Sequence, residues 1–175
     1  MKPIIATERM DICLAQKGDI HQIIVLEESK ENRRFIWQGS YEDHLKEIEC
    51  EDTYLLTLKK KSCEGLLGFA LCSLDKRSDS FELRRIAVSE KGRGYGREAI
   101  RGIMDYSFNT LESNRFWLDV YPHNEVGIHL YRSLGMTLEG RLRQSCKGEE
   151  GYLDQFIFSI LREEYRKEKI KKSLK

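Results

Sequence analysis

Residues 81–99 read Phe-Glu-Leu-Arg-Arg-Ile-Ala-Val-Ser-Glu-Lys-Gly-Arg-Gly-Tyr-Gly-Arg-Glu-Ala. A short apolar segment enters a turn holding Gly92, Gly94 and Gly96, and a helical pattern begins directly after it. Glycine lets the main chain approach a bulky anion, and the following helix aims free N–H groups and a positive dipole end at that anion. A pyrophosphate fits such a place. Downstream, Ala99, Ile100, Ile103, Met104 and Phe108 recur at helical spacing and predict an amphipathic helix. The segment 81–88 upstream predicts a strand.

Working outward, Met10, Ile12 and Leu14 alternate as a first strand. Asp19 is placed to cap a helix built on Ile20, Ile23, Ile24 and Leu26, and Ser40 opens a second helix through Leu45 and Ile48. Between them lies a charged loop, residues 30–40, with Phe35, Ile36 and Trp37 exposed in it. Strands are expected at about 53–59 and 65–74, split by Lys59–Ser62 with Glu64 and Gly65. Phe116, Leu118 and Val120 alternate as a strand, Asn124 can cap a helix carrying Gly127, Leu130, Tyr131 and Leu134, and Gly135 ends it. A last strand is expected at 152–161. The order β-α-α-β-β-β-α-β-α-β predicts one α/β or α+β domain with a mixed sheet.

The 175 residues suffice for one core that buries roughly 70% of the unfolded surface. Thirty basic and 29 acidic side chains leave a net charge of +1, so no global field points to nucleic acid or a membrane. No apolar run approaches the roughly 18 residues of a bilayer span. The N-terminus, Met-Lys-Pro-Ile-Ile-Ala-Thr-Glu-Arg, is broken by charge too early for a signal peptide. A cytoplasmic location is expected. Cys13, Cys50, Cys63, Cys72 and Cys146 are scattered, as are His21, His44, His123 and His129; reduced thiols and no metal are expected.

The glycine turn admits two readings. Gly94-Tyr-Gly96-Arg-Glu-Ala99 fits the dinucleotide fingerprint, with Asp119 about 20 residues on as a ribose-binding acid. Against it, Ser89–Arg93 intervene after the strand, and the preceding strands read as an antiparallel meander. The second reading uses more of the chain. Lys91-Gly-Arg-Gly-Tyr-Gly96 resembles the Q/R-x-x-G-x-G/A signature of the GNAT N-acetyltransferases, with lysine replacing the planar first residue. Leu118-Asp-Val-Tyr-Pro-His-Asn124 followed by Leu130-Tyr131-Arg-Ser-Leu-Gly135-Met136 is similar to that family's second motif. The closing stretch, Glu139-Gly-Arg-Leu-Arg and Tyr152 onward, resembles the branch associated with acetylation of ribosomal-protein N-termini.

The resemblance implies a three-layer fold whose central sheet, mainly antiparallel, is splayed at an acetyl-CoA site. It implies an acyltransferase that moves acetyl from acetyl-CoA to a primary amine by direct attack in a ternary complex. The acetyltransferase domain would span 9–162, with 163–175 a charged C-terminal tail. Main chain of Ile86, Ala87 and Val88 would pair with the pantetheine arm. Lys91, Gly92, Arg93, Gly94, Tyr95, Gly96 and Arg97 would hold the pyrophosphate, with Asn124 on the pantetheine. Tyr131 would protonate the departing thiolate, and Glu82, read as sharing a strand face with Ile86, would take the amine proton. Asp119, His123 and Asp154 are rival bases. Phe35, Trp37 and Asp154 are expected on the acceptor side. A protein N-terminus, a polyamine and other small amines all stay open as acceptors, as does a homodimer. The alternative is a non-catalytic module that binds CoA, or one whose basic tail (seven basic, three acidic residues from Arg162) meets RNA or a ribosome.

Overall fold

A computed structural model describes residues 2–62, 65–148 and 151–173; Cys63, Glu64 and the chain's last two residues therefore lie outside the described residues. Eight strands form one sheet: β1 (Ile5–Ala6), β2 (Met10–Leu14), β3 (Thr53–Lys60), β4 (Leu66–Asp75), β5 (Ser80–Val88), β6 (Arg115–Val120), β7 (Thr137–Gly148) and β8 (Gly151–Leu161). Their spatial order is β1-β2-β3-β4-β5-β6-β8-β7. Every neighbouring pair is antiparallel except β5–β6. The helices are α1 (Ile20–Glu28), α2 (Tyr41–Glu49), α3 (Tyr95–Asn109), α4 (Glu125–Ser133) and α5 (Arg162–Ser173).

Two apolar layers result. Beneath α3, α4 and α5, the larger core joins Ala99, Ile100, Ile103, Met104 and Phe108 to Phe81, Leu83, Phe116, Leu118, Phe158 and Tyr131. Fully burying each large apolar side chain of α3 is worth roughly 1.5–3 kcal/mol, so a charge at Ile103 would undo the helix's docking. Beneath α1 and α2, the smaller core holds Ile23, Leu55, Phe69, Leu71 and Ala87. Tyr165 of α5 is buried with its ring 5.1 Å from Phe108, so the first turn of the charged tail belongs to the packed body.

Three local expectations change. Asp19 precedes α1 without bonding to it; its carboxylate accepts Gln16 N at 2.9 Å and closes the preceding 3-10 turn, Lys17–Asp19. The strand β7 was not expected, because Gly140, Gly148 and four interleaved charges leave it exposed on both faces, without alternation. The third change matters most. Leu71 pairs with Arg85 but Cys72 pairs with Leu83, so Arg84 is an extra residue that bulges β5. A bulge resets the two-residue alternation. Phe81 and Leu83 share the larger core with Ile86 and Val88, while Arg85 and Ala87 face α1 and α2. Glu82 therefore lies on the face opposite Ile86, which corrects the shared face expected from unbroken alternation.

Candidate functional site

The parallel pairing of β5 with β6 covers only Ser80–Glu82 against Arg115–Trp117. Beyond it β5 continues to Val88 and β6 to Val120 without pairing to each other. The sheet parts there, and the main chain of residues 83–88 keeps an open edge, a template for another extended chain. At the end of that edge stands the glycine turn. Gly92 and Gly94 have φ of +72° and +79°, a conformation that glycine adopts without strain. A Cβ on Gly92 would meet nothing within 4 Å, and one on Gly96 only Leu130 at 4.0 Å. At Gly94 the loop is flanked by Arg9, whose Nη2 would lie 3.4 Å from a Cβ there, so the open positions are Gly92 and Gly96. The first bond of α3 runs from Glu98 N to Gly94 O, so the N–H groups of Tyr95, Gly96 and Arg97 precede the helical ladder. Together these features make an anion cradle at the mouth of an open strand edge.

The cations Lys91, Arg93 and Arg97 stand near the turn. Lys91 Nζ donates to Asn32 Oδ1 in the 29–40 segment, and burial lowers its pKa. Asn32, itself buried, holds that segment by donating to Leu26 O at 2.8 Å. Lys91 therefore ties two loops together. Arg97 lines a groove of about 650 Å³ between β1 and α3, with Arg101 and Asp105. Arg93 stays largely exposed, 3.7 Å from Glu90, and its carbonyl accepts Arg9 Nη1 at 3.0 Å.

Asn124 caps α4 by accepting Gly127 N at 3.0 Å, which aims the helix so that Tyr131 enters the larger core, 6.1 Å from the Phe158 ring. Burial, with the Asp119 charge adding to it, pushes the Tyr131 phenol up to about 12. No side-chain hydrogen bond holds it among the described residues. Asp119 lies on the sheet face opposite Leu118 and accepts Gln155 Nε2 from β8. Burial raises its pKa. Glu82 shares that face; burial raises it too, opposed by Arg84, 3.9 Å away, and helped by Asp119. Glu82 and Asp119 thus share one face of the sheet, and Tyr131, packed in the larger core, comes near enough to Asp119 to feel its charge.

Asp154 is placed elsewhere. Strand alternation sets it on the opposite face from Gln155, where its carboxylate bonds Arg141 and accepts Gln144 N at 2.7 Å, bracing the β7 bulge. His123 stacks between Tyr121 (5.4 Å) and Phe35 (5.7 Å), and its Nε2 lies 3.3 Å from Arg34 O. The 30–40 loop is therefore bound to the turn after β6. Phe35 and Ile36 are half-buried rather than exposed, and Trp37 keeps 63% of its surface. Tyr121 adds a contact that sequence order hides, its hydroxyl 3.1 Å from Cys146 Sγ on β7.

Sequence reasoning missed a buried ionic cluster beside the loop. Arg85 Nη1 reaches Glu27 Oε1 at 2.8 Å and Arg85 Nη2 bonds Glu47. His44 Nδ1 meets Glu47 at 2.7 Å and its Nε2 meets Glu27 at 3.2 Å. Burial disfavours the imidazolium, yet the two carboxylates outweigh it and lift His44 to about 9. These residues lie 58 positions apart at the extremes, so no local motif announces them; only Glu27 on the apolar face of α1 was out of pattern.

Comparisons with known proteins agree with this fold. Residues 20–136 match the model of the acetyltransferase (GNAT) family. A spermidine N(1)-acetyltransferase of Vibrio cholerae is 26% identical over 159 residues, covering 86% of this chain and 91% of that protein. An uncharacterized N-acetyltransferase, p20, of Bacillus licheniformis is 38% identical over 74 residues, and the match spans 42% of each chain, less than half the length of that relative. A crystal structure of the Vibrio cholerae spermidine N-acetyltransferase with CoA and spermine shares the fold, with a TM-score of 0.79 at 22% identity over 90% of this chain and 98% of that one.

Proposed function

Since the chain belongs to the acetyltransferase (GNAT) family, we propose that it carries acetyl from acetyl-CoA to a primary amine, with a polyamine as the first acceptor to test. The observation that carries this reading is the parting of β5 from β6 beside the bare N-terminus of α3. The diphosphate of CoA meets the N–H groups of residues 92–97, and its pantetheine adds a strand along Ile86–Val88. The thioester then lies in the gap toward Tyr131 and Asp119.

Transfer needs an unprotonated amine, and the acidic floor supplies the acceptor for its proton. Glu82, raised by burial and by the Asp119 charge, and Asp119, raised by burial, take that proton more readily than ordinary carboxylates. The amine attacks the thioester carbonyl, the tetrahedral intermediate collapses, and the thiolate leaves. A phenol held near 12 stays protonated at working pH against a thiol near ~8.5. Tyr131 therefore meets the developing thiolate as a hydrogen-bond donor and keeps its proton. It stabilises CoA as it leaves as a thiolate that takes up a proton from water, while the amine proton stays with the carboxylate until it is released. The acidic floor suits a cationic acceptor, and the named relatives acting on spermidine make polyamines the natural probe. A reducing, cytoplasmic setting suits the described cysteines, which are all free thiols.

Calorimetry with acetyl-CoA tests the cofactor half, and thiol release across spermidine, spermine and N-terminal peptides tests the acceptor half. Saturable cofactor binding with amine-dependent release of CoA is expected. Binding without release from any amine would leave a CoA-binding module and remove the transferase reading.

A further inference from the structure

The buried cluster of Glu27, His44, Glu47 and Arg85 lies outside the transfer chemistry, yet it touches both sides of the site. Arg85 is the residue before Ile86, where the cofactor strand edge begins. Its Nη1 also donates to the main-chain carbonyl of Trp37 at 3.3 Å, and its guanidinium lies 5.9 Å from the Trp37 ring centre. Glu27 Oε2 accepts Gly39 N at 2.8 Å. A Cβ on Gly39 would stand 3.0 Å from the His44 ring, so the loop is seated directly on the imidazole. At its other end the same loop is held by the Phe35–His123 stack. The segment carrying Phe35 and Trp37 is thus clamped at two points, and one clamp is ionic.

The charges balance only when His44 is protonated. Glu27 enters from α1, Glu47 from α2 and Arg85 from β5, and the loop contributes main-chain groups and the uncharged Trp37 ring. Two carboxylates against one guanidinium leave an uncompensated buried anion, which is costly, and the imidazolium cancels it.

We propose that Glu27, His44, Glu47 and Arg85 act as one positioning unit that sets the acceptor-side wall, Trp37 above all, relative to the cofactor strand. This rests on the amine-acceptor reading for what the wall faces, but the geometry it asserts does not need an acceptor. Loss of the His44 proton loosens Gly39 and the Trp37 carbonyl, and the wall shifts while the pyrophosphate cradle, built on another part of the chain, stays in place.

Trp37 emission is followed between pH 7 and 10.5 in the wild-type chain, with Trp37→Phe subtracting the Trp117 signal. A transition centred near the His44 value of about 9 is expected, and it should vanish in the His44→Gln/Glu47→Gln double variant. That variant keeps the Glu27–Arg85 pair neutral and so guards against simple unfolding. With spermidine as probe, the double variant should raise the acceptor KM about tenfold while the acetyl-CoA Kd stays within about twofold. A wild-type signal flat in pH, a transition that survives in the double variant, or an equal loss in both affinities would overturn the proposal. If no amine is turned over, the acceptor reading fails, and emission with calorimetry still decides whether the unit positions the wall.

Discussion

Gly68→Ala tests whether the cofactor uses the strand edge that the structure leaves open. Gly68 pairs with Val88 across β4 and β5, and a Cβ there would stand 2.4 Å from Ala87 O, 3.0 Å from Val88 Cγ1 and 3.1 Å from Leu58 Cδ1. Ordinary contact begins near 3.4 Å, so β5 must retreat by about 1 Å at Ala87, because Leu58 is fully buried and gives no room. Overpacking of this kind costs about 1–3 kcal/mol of stability. A shift of that size also moves the Ala87 region out of the roughly 2.7–3.2 Å spacing and alignment that hydrogen bonds to an added strand require. Two such bonds at ~0.5–1.5 kcal/mol each weaken acetyl-CoA binding by about five- to 150-fold. Isothermal titration gives the affinity and urea unfolding the stability. Gly140→Ala, with nothing within 4 Å, is the neutral control. Lowered stability with acetyl-CoA affinity unchanged would refute pairing of the cofactor with this strand.

Three further outcomes follow from the site. The His44 imidazolium, at about 9 when folded against ~6.5 unfolded, contributes about 3 kcal/mol. A raised folded pKa means this stability is complete below about pH 6.5 and disappears as pH rises through 9. The urea-unfolding difference between wild type and His44→Gln/Glu47→Gln should shrink accordingly from pH 6 to 10, and a constant difference removes the imidazolium from the cluster. Tyr131→Phe should lower kcat by about 10²-fold or more with acetyl-CoA affinity preserved; steady-state kinetics with calorimetry show whether it does, and equal turnover strikes out the phenol. With Glu82 as base, activity falls as pH drops through its raised pKa, and Asp119→Asn, which removes a like charge, should move that acid limb to lower pH. A pH–rate profile in which Asp119→Asn abolishes turnover and Glu82→Gln does not would reassign the base to Asp119.

Much of this was legible from residue order, and the reason is local. The turn at Gly92 and Gly94 demands a left-handed backbone that other residues adopt at a cost, so the glycines declare it. The stripe on α3 and the Asn124 cap are set by neighbours three or four residues away. What stayed hidden is non-local or lacks a periodic imprint. A two-residue β1 is too short to show alternation. β7 meets solvent on both sides, so nothing selects its side chains by face. The stack of Phe35 on His123 and the contact of Tyr121 with Cys146 join residues 88 and 25 positions apart. Asp154 looked available because its partners, Arg141 and Gln144, come from the strand that the pattern concealed.

One extra residue accounts for the way these parts meet. Up to Glu82, β5 runs beside β6 in register; Arg84 then bulges, and pairing with β6 is not resumed. A bulge bends its strand and increases the local twist, which is what turning β5 away from β6 requires. Pairing with β6 fixes the facing of Glu82, and the insertion decides those that follow. Glu82 stays on the face of Asp119, Arg85 is turned under α1 and α2 to meet Glu27 and Glu47, and Ile86 and Val88 return to the larger core. With strict alternation, Glu82 and Ile86 would share a face, and Arg85 would point with Phe81 and Leu83 into an apolar layer without a counter-charge. The bulge thus parts β5 from β6 beyond Glu82 and seats the Arg85 guanidinium against Glu27 and Glu47, both within a few residues of one strand.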